Sequence, residues 1–276
     1  MLPRCFAPSL TGDSSTVTLP AGEATHLLRV LRIRVGGAVR VFDGRGLEYL
    51  ARVSRATKSV VELSIGARVV PAPETRVAVT LAQALLKTDK FDTVVRDATM
   101  LGVVAIRPLM TASVDVPEAA VRDGGRLDRW HRVAIASAKQ CGRAVVPALH
   151  AVASLAECLA ADGSTVRVLL AEPSASLSED RVSGDRVSGD RVSGDSVEAL
   201  RAEAPPASAL VLVGPEGGWS SDELERGRAA GCRIVTLGNR TLRADAAPLI
   251  ALAVLQYVWG EFSGPEPEAR PGFACV

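Results

Sequence analysis

The strongest constraint on the fold of this chain is the alternation of two kinds of segment after residue 75. Apolar runs of strand length lie at 77–85, 103–108, 166–172, 209–214 and 232–238. Segments with helical character lie at 89–101, 127–141, 220–231 and 246–259. Strands that alternate with helices in this way predict a largely parallel sheet covered by helices on both faces, and therefore an α/β fold.

The first 70 residues follow a different pattern, which predicts a separate small all-β domain. Short strand-like segments are separated by glycine-containing turns and lie at 39–42, 47–53 and 59–65. Pro71 and Pro73 mark a linker after them. We therefore divide the chain into a first domain at 1–72, a second domain at 73–264 and a tail at 265–276.

An insertion interrupts the second domain at 181–195, where the pentapeptide RVSGD occurs three times. Each copy has balanced charge, a glycine and a single apolar side chain, which is too little to bury as a core. We expect this insertion to be a disordered loop on the surface.

Composition narrows the class of protein. Hydrophobic residues make up 47% and charged residues 23% of the chain, an ordinary globular balance. The longest apolar run, at 246–258, is shorter than the about 20 residues that cross a bilayer. The N-terminus lacks the apolar core of a signal peptide. We expect a cytoplasmic protein with no membrane partner.

Residue counts indicate a protein without a metal and with a polyanionic partner. The five cysteines and three histidines are scattered and no CxxC pair occurs, which argues against a disulfide framework and a metal site. Residues 1–72 hold ten Lys and Arg against five Asp and Glu, a net charge of +5, in a chain of net charge +1. A basic part of a nearly neutral chain is typical of proteins that bind nucleic acid.

The stretch VGPEGGWSSDELE at 213–225 is the first candidate site. It follows an apolar strand and opens a helix whose start carries a capping box, Ser220 with Glu223. Ligands of open α/β sheets bind at the carboxyl ends of strands, where helix N–H groups are free. The stretch has neither the Gly-Lys-Ser/Thr of a P-loop nor a GxGxxG fingerprint. It is therefore either a ligand loop of another kind or a sharp strand-to-helix turn.

A second loop, LGNRTLRADAA at 237–247, also follows a strand and opens a helix. Together the two loops resemble the signature of the SPOUT methyltransferases, and most closely that of the RsmE family, which methylates N3 of a uridine in 16S ribosomal RNA. Weaker resemblances to that family lie in Arg4-Cys5-Phe6 and at 26–37, 83–95, 98–103 and 137–147.

The sequence departs from the family pattern at several polar positions. Met100 replaces a glutamate of the family, and Thr111-Ala112-Ser113 stands where the family has Glu-Arg-Ser. Asp245 replaces a glutamate and Ala246 a threonine. These departures concern the RNA target more than the methyl donor.

The resemblance implies a fold, a cofactor and a set of binding residues. It implies a C-terminal α/β trefoil-knot domain and an N-terminal PUA-like β-barrel that binds RNA. It also implies a homodimer, for which the apolar terminal helix is the candidate interface. The backbone of both loops would bind S-adenosylmethionine, and glycines there allow a flat ring to approach closely. The implied cofactor-binding residues are Val213, Gly214, Pro215, Gly217, Gly218, Leu237, Gly238, Asn239 and Leu242.

The resemblance also implies the residues that act on RNA. Loss of the uridine N3 proton spreads negative charge onto O2 and O4, and Arg243 in the second loop is the first candidate to stabilise it. Glu216 is the second catalytic candidate, as an orienting group, a proton acceptor or a cap of the following helix. The candidate phosphate contacts are Arg4, Arg29, Arg32, Lys87, Lys90 and Arg143.

Three functions stay open at this point. The first is methylation of uridine N3 in 16S ribosomal RNA, with the RNA or the small ribosomal subunit as partner. The second is a binding protein for RNA or ribosome assembly that kept the fold and lost the reaction, or a SPOUT relative with another RNA target. The third, an enzyme acting on small nucleotides, lacks a phosphate-loop lysine and ranks last.

Overall fold

The computed structural model describes residues 2–57, 60–87, 89–116, 125–173 and 196–262. The RVSGD insertion at 181–195 and the predicted tail at 265–276 lie outside the described residues. The expectations for those two segments therefore stay predictions.

The strands in the described residues are short, apart from two long ones in the first part of the chain. They are β1 (Arg4–Phe6), β2 (Thr16–Thr18), β3 (Ala38–Phe42), β4 (Glu48–Ala56), β5 (Val61–Arg68), β6 (Ala78–Ala84), β7 (Ala105–Met110), β8 (Ala148–Leu149), β9 (Ala153–Ser154), β10 (Val166–Leu170), β11 (Ser208–Val213) and β12 (Arg233–Val235).

The helices of the described residues follow the predicted segments and add three short ones. They are α1 (Ala21–Thr25), α2 (Lys90–Met100), α3 (Gly125–Cys141), α4 (Leu155–Ala160), α5 (Val197–Ala202), α6 (Ser221–Ala229) and α7 (Ala247–Val258), with one turn of π-helix at His26–Val30. A glycine with positive φ follows α2, α3 and α6, as expected for residues that end a helix.

Two compact units make up the chain. The first contains Met1–Glu74, Leu86–Pro108 and Asp115–Val152, and the second contains Thr75–Leu85, Leu109–Val114 and Ala153–Val276. The first unit therefore includes α2 and α3, which the sequence pattern places after residue 72. The two units are defined by contacts in space, whereas the boundary at residue 72 is defined by position along the sequence. The division at residue 72 therefore stays a prediction.

The first unit is built on a five-stranded sheet in the order β1-β3-β4-β5-β2. β1 runs parallel to β3 and the other neighbours are antiparallel. Alternating side chains of these strands, such as Val39, Val41 and Leu63, form one buried cluster. The expectation of an all-β segment is wrong for residues 21–30, which form α1 and the π-helical turn because Leu27 and Ala24 bury one face of a helix there.

The second unit is built on a parallel sheet in the order β12-β10-β11-β6. Leu169, Leu210 and Leu212 are fully buried between its strands and the helices α4 and α6. Leu109 and Met110, the last residues of β7, pair with β9 in the same parallel sense. This confirms the α/β prediction. Because every pair is parallel, the carboxyl ends of these strands meet at one edge.

Arg4 lies in the interior of the first unit, and its prediction as a phosphate contact is wrong. Its side chain is 6% exposed and its guanidinium pairs with the carboxylate of Glu48, which is 1% exposed. Both Glu48 oxygens accept hydrogen bonds of 3.0 Å from Arg4, and the remaining donors bond the carbonyls of Ala138, Lys139 and Arg143. The guanidinium therefore joins β1 to the end of α3.

Arg143 is the second candidate phosphate contact that the structure removes from that role. Its side chain is 5% exposed and forms an ion pair with Glu74. It also donates to the carbonyls of Thr99 at 2.6 Å and Val103 at 3.1 Å. Its guanidinium therefore holds the turn after α2 and is not available to a phosphate.

We expect Arg4→Met to destabilise the protein by about 3–5 kcal/mol, because it leaves the buried carboxylate of Glu48 without its main partner. Arg55→Met is the control, since Arg55 pairs with Glu62 on the surface and such pairs contribute about 0–1 kcal/mol. Urea unfolding of both variants measures the difference. Equal losses would contradict the structural role of Arg4.

Candidate functional site

The first candidate loop, residues 214–219, leaves the carboxyl end of β11. Val213, the last residue of the strand, pairs in register with Gln83 of β6 and is 3% exposed. The loop ends at Ser220, the N-cap of α6. Ser220 Oγ accepts from Glu223 N and Glu223 Oε2 accepts from Ser220 N at 2.9 Å, so the predicted capping box is confirmed. Ser220 therefore holds the N-cap position of α6, and the capping role considered for Glu216 stays a prediction.

Side chains from two neighbouring strands hold this loop. Gln83 Nε2 donates to the carbonyl oxygens of Ala84 and Gly214, at 3.0 and 3.3 Å. Trp219 Nε1 donates to the carbonyl of Leu170, the last residue of β10, at 2.8 Å. The loop is thus connected to β6 on one side of β11 and to β10 on the other.

Two glycines of the loop are required by its geometry. A Cβ on Gly217 would lie 2.8 Å from Ser113 Cβ, closer than real Cβ atoms approach one another. Gly218 has φ +69° and donates its N–H to the carbonyl of Pro215 at 3.0 Å. Any other residue would strain this turn. Glu216, between Pro215 and Gly217, is exposed.

The second candidate loop, residues 236–246, leaves the carboxyl end of β12. Because β12 pairs with β10 and β10 pairs with β11, the two loops start on opposite sides of the end of β10. Leu237, Asn239 and Leu242 lie in this loop together with Gly238, whose φ is +76°. The structure thus places eight of the nine predicted cofactor-binding residues on two loops of one sheet edge, and the ninth, Val213, ends the strand before the first loop.

Arg243 lies near the end of the second loop with its side chain 76% exposed. Its guanidinium forms a two-point pair with Asp245, Nε to Oδ1 at 3.1 Å and Nη2 to Oδ2 at 3.0 Å. Exposed pairs of this kind are weak, at about 0–1 kcal/mol, so a substrate oxygen can replace the carboxylate.

Sequence reasoning missed four residues of this edge. Gln83, Trp219 and Glu223 hold the first loop. Glu172 follows β10 and lies beside Gly218, since its Oε1 would be 3.6 Å from a Cβ added to that glycine. Their signal was present but weak. Gln83 and Glu172 are polar residues at the ends of otherwise apolar strands, and Glu223 was read only as half of a capping box.

Two polar side-chain atoms close to these loops lack a hydrogen-bond partner among the described residues. They are Gln83 Oε1 and Thr111 Oγ1, in side chains that are 0% and 8% exposed. The Gln83 amide is oriented by its two carbonyl acceptors, so Oε1 must point the other way. Buried polar atoms are normally bonded, and unbonded ones mark places where a ligand or water completes the structure.

The remaining candidate phosphate contacts lie in the first unit. Arg29 and Arg32 are exposed at the end of the π-helical turn, and Arg32 has φ +54°. Lys87 is 52% exposed and pairs with Asp115, and Lys90 opens α2. These four therefore stay candidates, unlike Arg4 and Arg143.

Other chemistries have no support in the described residues. Burial raises the pKa of the Cys5 thiol to about 12 and that of Cys232 to about 11, so neither is a thiolate at neutral pH. The described ranges contain no group of three His, Cys, Asp or Glu that fits a metal ion. Within the same ranges, no helix has the length and apolarity needed to span a membrane.

Comparison with known proteins relates this geometry to a family. The RNA methyltransferase domain family matches residues 73–256, and the RNA methyltransferase PUA domain family matches residues 19–66. A ribosomal RNA small subunit methyltransferase E of Synechocystis is 32% identical over 136 residues, which are 48% of this chain and 42% of that protein. The chain spans about half the length of the curated relatives it matches.

Solved structures match over nearly the whole chain. The ribosomal RNA small subunit methyltransferase E of Neisseria gonorrhoeae, bound to S-adenosyl methionine, is 30% identical with a TM-score of 0.78. The match covers 95% of this chain and 100% of that one. A Legionella pneumophila protein, solved with the cofactor SAM and described as a methyltransferase, is 25% identical with a TM-score of 0.78. That match covers 93% of this chain and 98% of the Legionella chain.

The fold and the two loops define a SPOUT-type α/β methyltransferase domain that is joined to an N-terminal PUA-like domain. The predicted fold class is therefore confirmed. The chain belongs to the RNA methyltransferase family, and within it to the RsmE group.

Proposed function

We propose that this protein transfers a methyl group from S-adenosylmethionine to N3 of a uridine in 16S ribosomal RNA, in the cytoplasm. One observation carries the proposal. The two glycine-bearing loops leave the two strands on either side of β10, in a chain of which 95% matches an RsmE enzyme bound to S-adenosyl methionine. The relatives' names and the family resemblance support the base and the RNA.

The residues of this edge fit S-adenosylmethionine. Gly214, Gly217 and Gly218 carry no side chains, so their backbone can approach a flat adenine ring on the faces that Trp219 and Ser113 leave open. The carboxylate of Glu172 beside Gly218 supplies negative charge next to a cationic sulfonium or ammonium group. Gly238, Asn239 and Leu242 of the second loop would hold the donor from the other side of β10.

When bound, S-adenosylmethionine supplies a methyl group activated by a positively charged sulfur. The protein must present a uridine that has left its stack, because N3 is engaged in a paired base. It must also accept the N3 proton, so that the nitrogen lone pair forms the bond to carbon while the sulfur keeps the electrons of the broken bond. Arg243 would stabilise the charge on O2 and O4. Glu216, exposed on the first loop, is the candidate proton acceptor.

Nucleoside mass spectrometry of 16S ribosomal RNA tests the proposed function. A strain without the gene should lack 3-methyluridine at one position, and the restored gene should return it. Purified protein should then methylate small subunits from the deletion strain. If 3-methyluridine persists without the gene, the target is wrong. If the protein binds donor and RNA and transfers no methyl group, the binding-protein alternative replaces the enzyme.

We expect Arg243→Ala to lower turnover about 100- to 1000-fold, the effect typical of removing one group that stabilises transition-state charge. Donor affinity should change little, because the donor site is attributed to backbone groups of the two loops. Arg226→Ala is the control, since Arg226 is exposed on α6 outside both loops. Single-turnover methylation and calorimetric donor binding measure the two effects. Turnover equal to that of the control would exclude the role given to Arg243.

A basic surface of the first unit is proposed to bind RNA. Arg29, Arg32 and Arg34 are exposed within residues 28–38, a run in which no residue is buried. Arg52 reaches the same run by donating to the carbonyl of Gly36 at 3.0 Å. Val30, 64% exposed, lies among these arginines. Guanidinium groups can bind the phosphates of an RNA strand, and an exposed apolar side chain between them can contact its sugars or bases.

The salt dependence of RNA binding tests this surface. The double variant Arg29→Ala/Arg32→Ala should lower the slope of log affinity against log salt by about 1.5, since each phosphate contact contributes about 0.7–0.9. The control Arg45→Ala/Arg55→Ala removes the same charge from arginines that pair with Asp43 and Glu62. If both double variants change the slope equally, net charge and not this surface determines binding.

The outer face of α7 is proposed to form a homodimer. Leu249, Ile250 and Tyr257 are 38%, 37% and 60% exposed on one side of the helix, whereas Leu252 and Leu255 are buried on the other. A helix this apolar on both sides is typical of an interface.

We expect Ile250→Glu to convert the dimer to a single copy, because a charge would be buried at the contact. Val70→Glu is the matched control, since Val70 is 92% exposed in the first unit. Sedimentation equilibrium gives the mass of both. A wild-type mass of one copy would rule out the dimer, and an unchanged dimer in Ile250→Glu would rule out this face.

A further inference from the structure

Glu223 joins two loops of the candidate site. One of its oxygens, Oε2, accepts from Ser220 N at 2.9 Å and completes the capping box of α6. The other oxygen, Oε1, accepts from Ala112 N at 2.9 Å. Ala112 lies in residues 111–114, which follow β7 and are called here the β7 loop. Glu223 is 7% exposed, and both bonds are partly buried.

The two loops also approach each other closely at Gly217 and Ser113. A Cβ on Gly217 would lie 2.8 Å from Ser113 Cβ and 3.4 Å from the Ser113 carbonyl oxygen. Gly217 belongs to the loop at 214–219 that is proposed to bind the methyl donor. This contact is independent of the Glu223 carboxylate, and it places the β7 loop directly against the donor loop.

Thr111, the first residue of the β7 loop, supplies a third observation. Its side chain is buried, with 8% of the residue exposed, and its Oγ1 has no hydrogen-bond partner among the described residues. Leaving a hydroxyl buried and unbonded costs free energy. A polar group that arrives only with the substrate would satisfy it.

We infer that the β7 loop is part of the substrate site and that Glu223 is the positioning residue that fixes it against the donor loop. The inference rests on the proposed methyl transfer. The ligand class is the polar edge of a nucleobase, which offers acceptors and donors to Thr111 Oγ1 and to the loop backbone. Glu223 itself touches no substrate and acts through Ala112.

A carboxylate suits this position because both of its partners are N–H donors. In Glu223→Gln the single carbonyl oxygen can keep the bond to Ser220 N, while the new NH₂ group faces Ala112 N–H and repels it. The donor loop should therefore keep its cap, and the β7 loop should lose its attachment.

The chain contains a matched control for this substitution. Ser154 and Glu157 form a second capping box at the start of α4, where Glu157 Oε2 accepts from Ser154 N at 2.8 Å. This box is exposed, and Glu157 bonds no second loop in the contacts of the described residues. Glu157→Gln thus makes the same change in a capping box that lies outside the site.

The test compares Glu223→Gln, Glu223→Asp and Glu157→Gln with the wild-type protein. For both Glu223 variants we expect kcat/KM for RNA to fall at least tenfold while the donor Kd stays within threefold. Asp keeps the charge but is too short to reach both N–H groups, so charge alone should not rescue the rate. Glu157→Gln should match the wild type in both quantities. Thermal unfolding should show the larger Tm loss for Glu223→Gln, because only that variant also loses the bond to Ala112 N.

Thr111→Val gives a second measurement that does not depend on the Glu223 variants remaining folded. It removes the unbonded hydroxyl at nearly constant shape, so Tm should stay equal or rise while kcat/KM for RNA falls. RNA kinetics of Glu223→Gln equal to those of Glu157→Gln, or of Thr111→Val equal to the wild type, overturn the inference. A donor Kd that weakens in parallel with the RNA rate also overturns it. Absence of methyl transfer by the wild type would instead refute the proposed function.

Discussion

The parallel ladder through β10, β11 and β6 is the interaction on which the candidate site depends. Its register pairs Leu170 with Val213 and Val213 with Gln83, so three strands end at the same level. Because the strands are parallel, the loops that follow them start side by side at one edge. A slip of one residue would turn Gln83 to the opposite face and release the carbonyl of Gly214.

Above this ladder, specific hydrogen bonds give a glycine-rich loop a defined shape. Glycines permit close approach of backbone to a ligand, but they also give a loop many conformations to lose on binding. Gln83 and Trp219 attach the loop to the two neighbouring strands, and Glu223 attaches its helix to the β7 loop. A loop held in this way loses less conformational freedom when it binds, which is the benefit of preorganisation.

Arginine serves two different purposes in this chain, and exposure separates them. Arg4 and Arg143 have their donors occupied by carboxylates and carbonyls in the interior of the first unit. Arg29 and Arg32 are exposed on a surface of the same unit. All four lie in segments that resemble the RsmE family, so the sequence assigned them the same role. Burial is a property of contacts between distant residues, and no local pattern reports it.

The sequence by itself determined the element types and the two candidate loops. Apolar runs bounded by helix-capping residues and glycines located β6, β10, β11, α6 and α7 to within a few residues. These patterns are informative because helix caps and turns depend on residues only a few positions apart. Tertiary structure decided which polar residues surround the loops. Gln83, Thr111 and Glu172 are far apart in sequence, and the pairing of the strands that carry or precede them brings them to one edge. Glu223, on α6, reaches this edge through its bond to Ala112 N. The interior positions of Arg4 and Arg143 were decided in the same way, by the packing of α2 and α3 in the first unit.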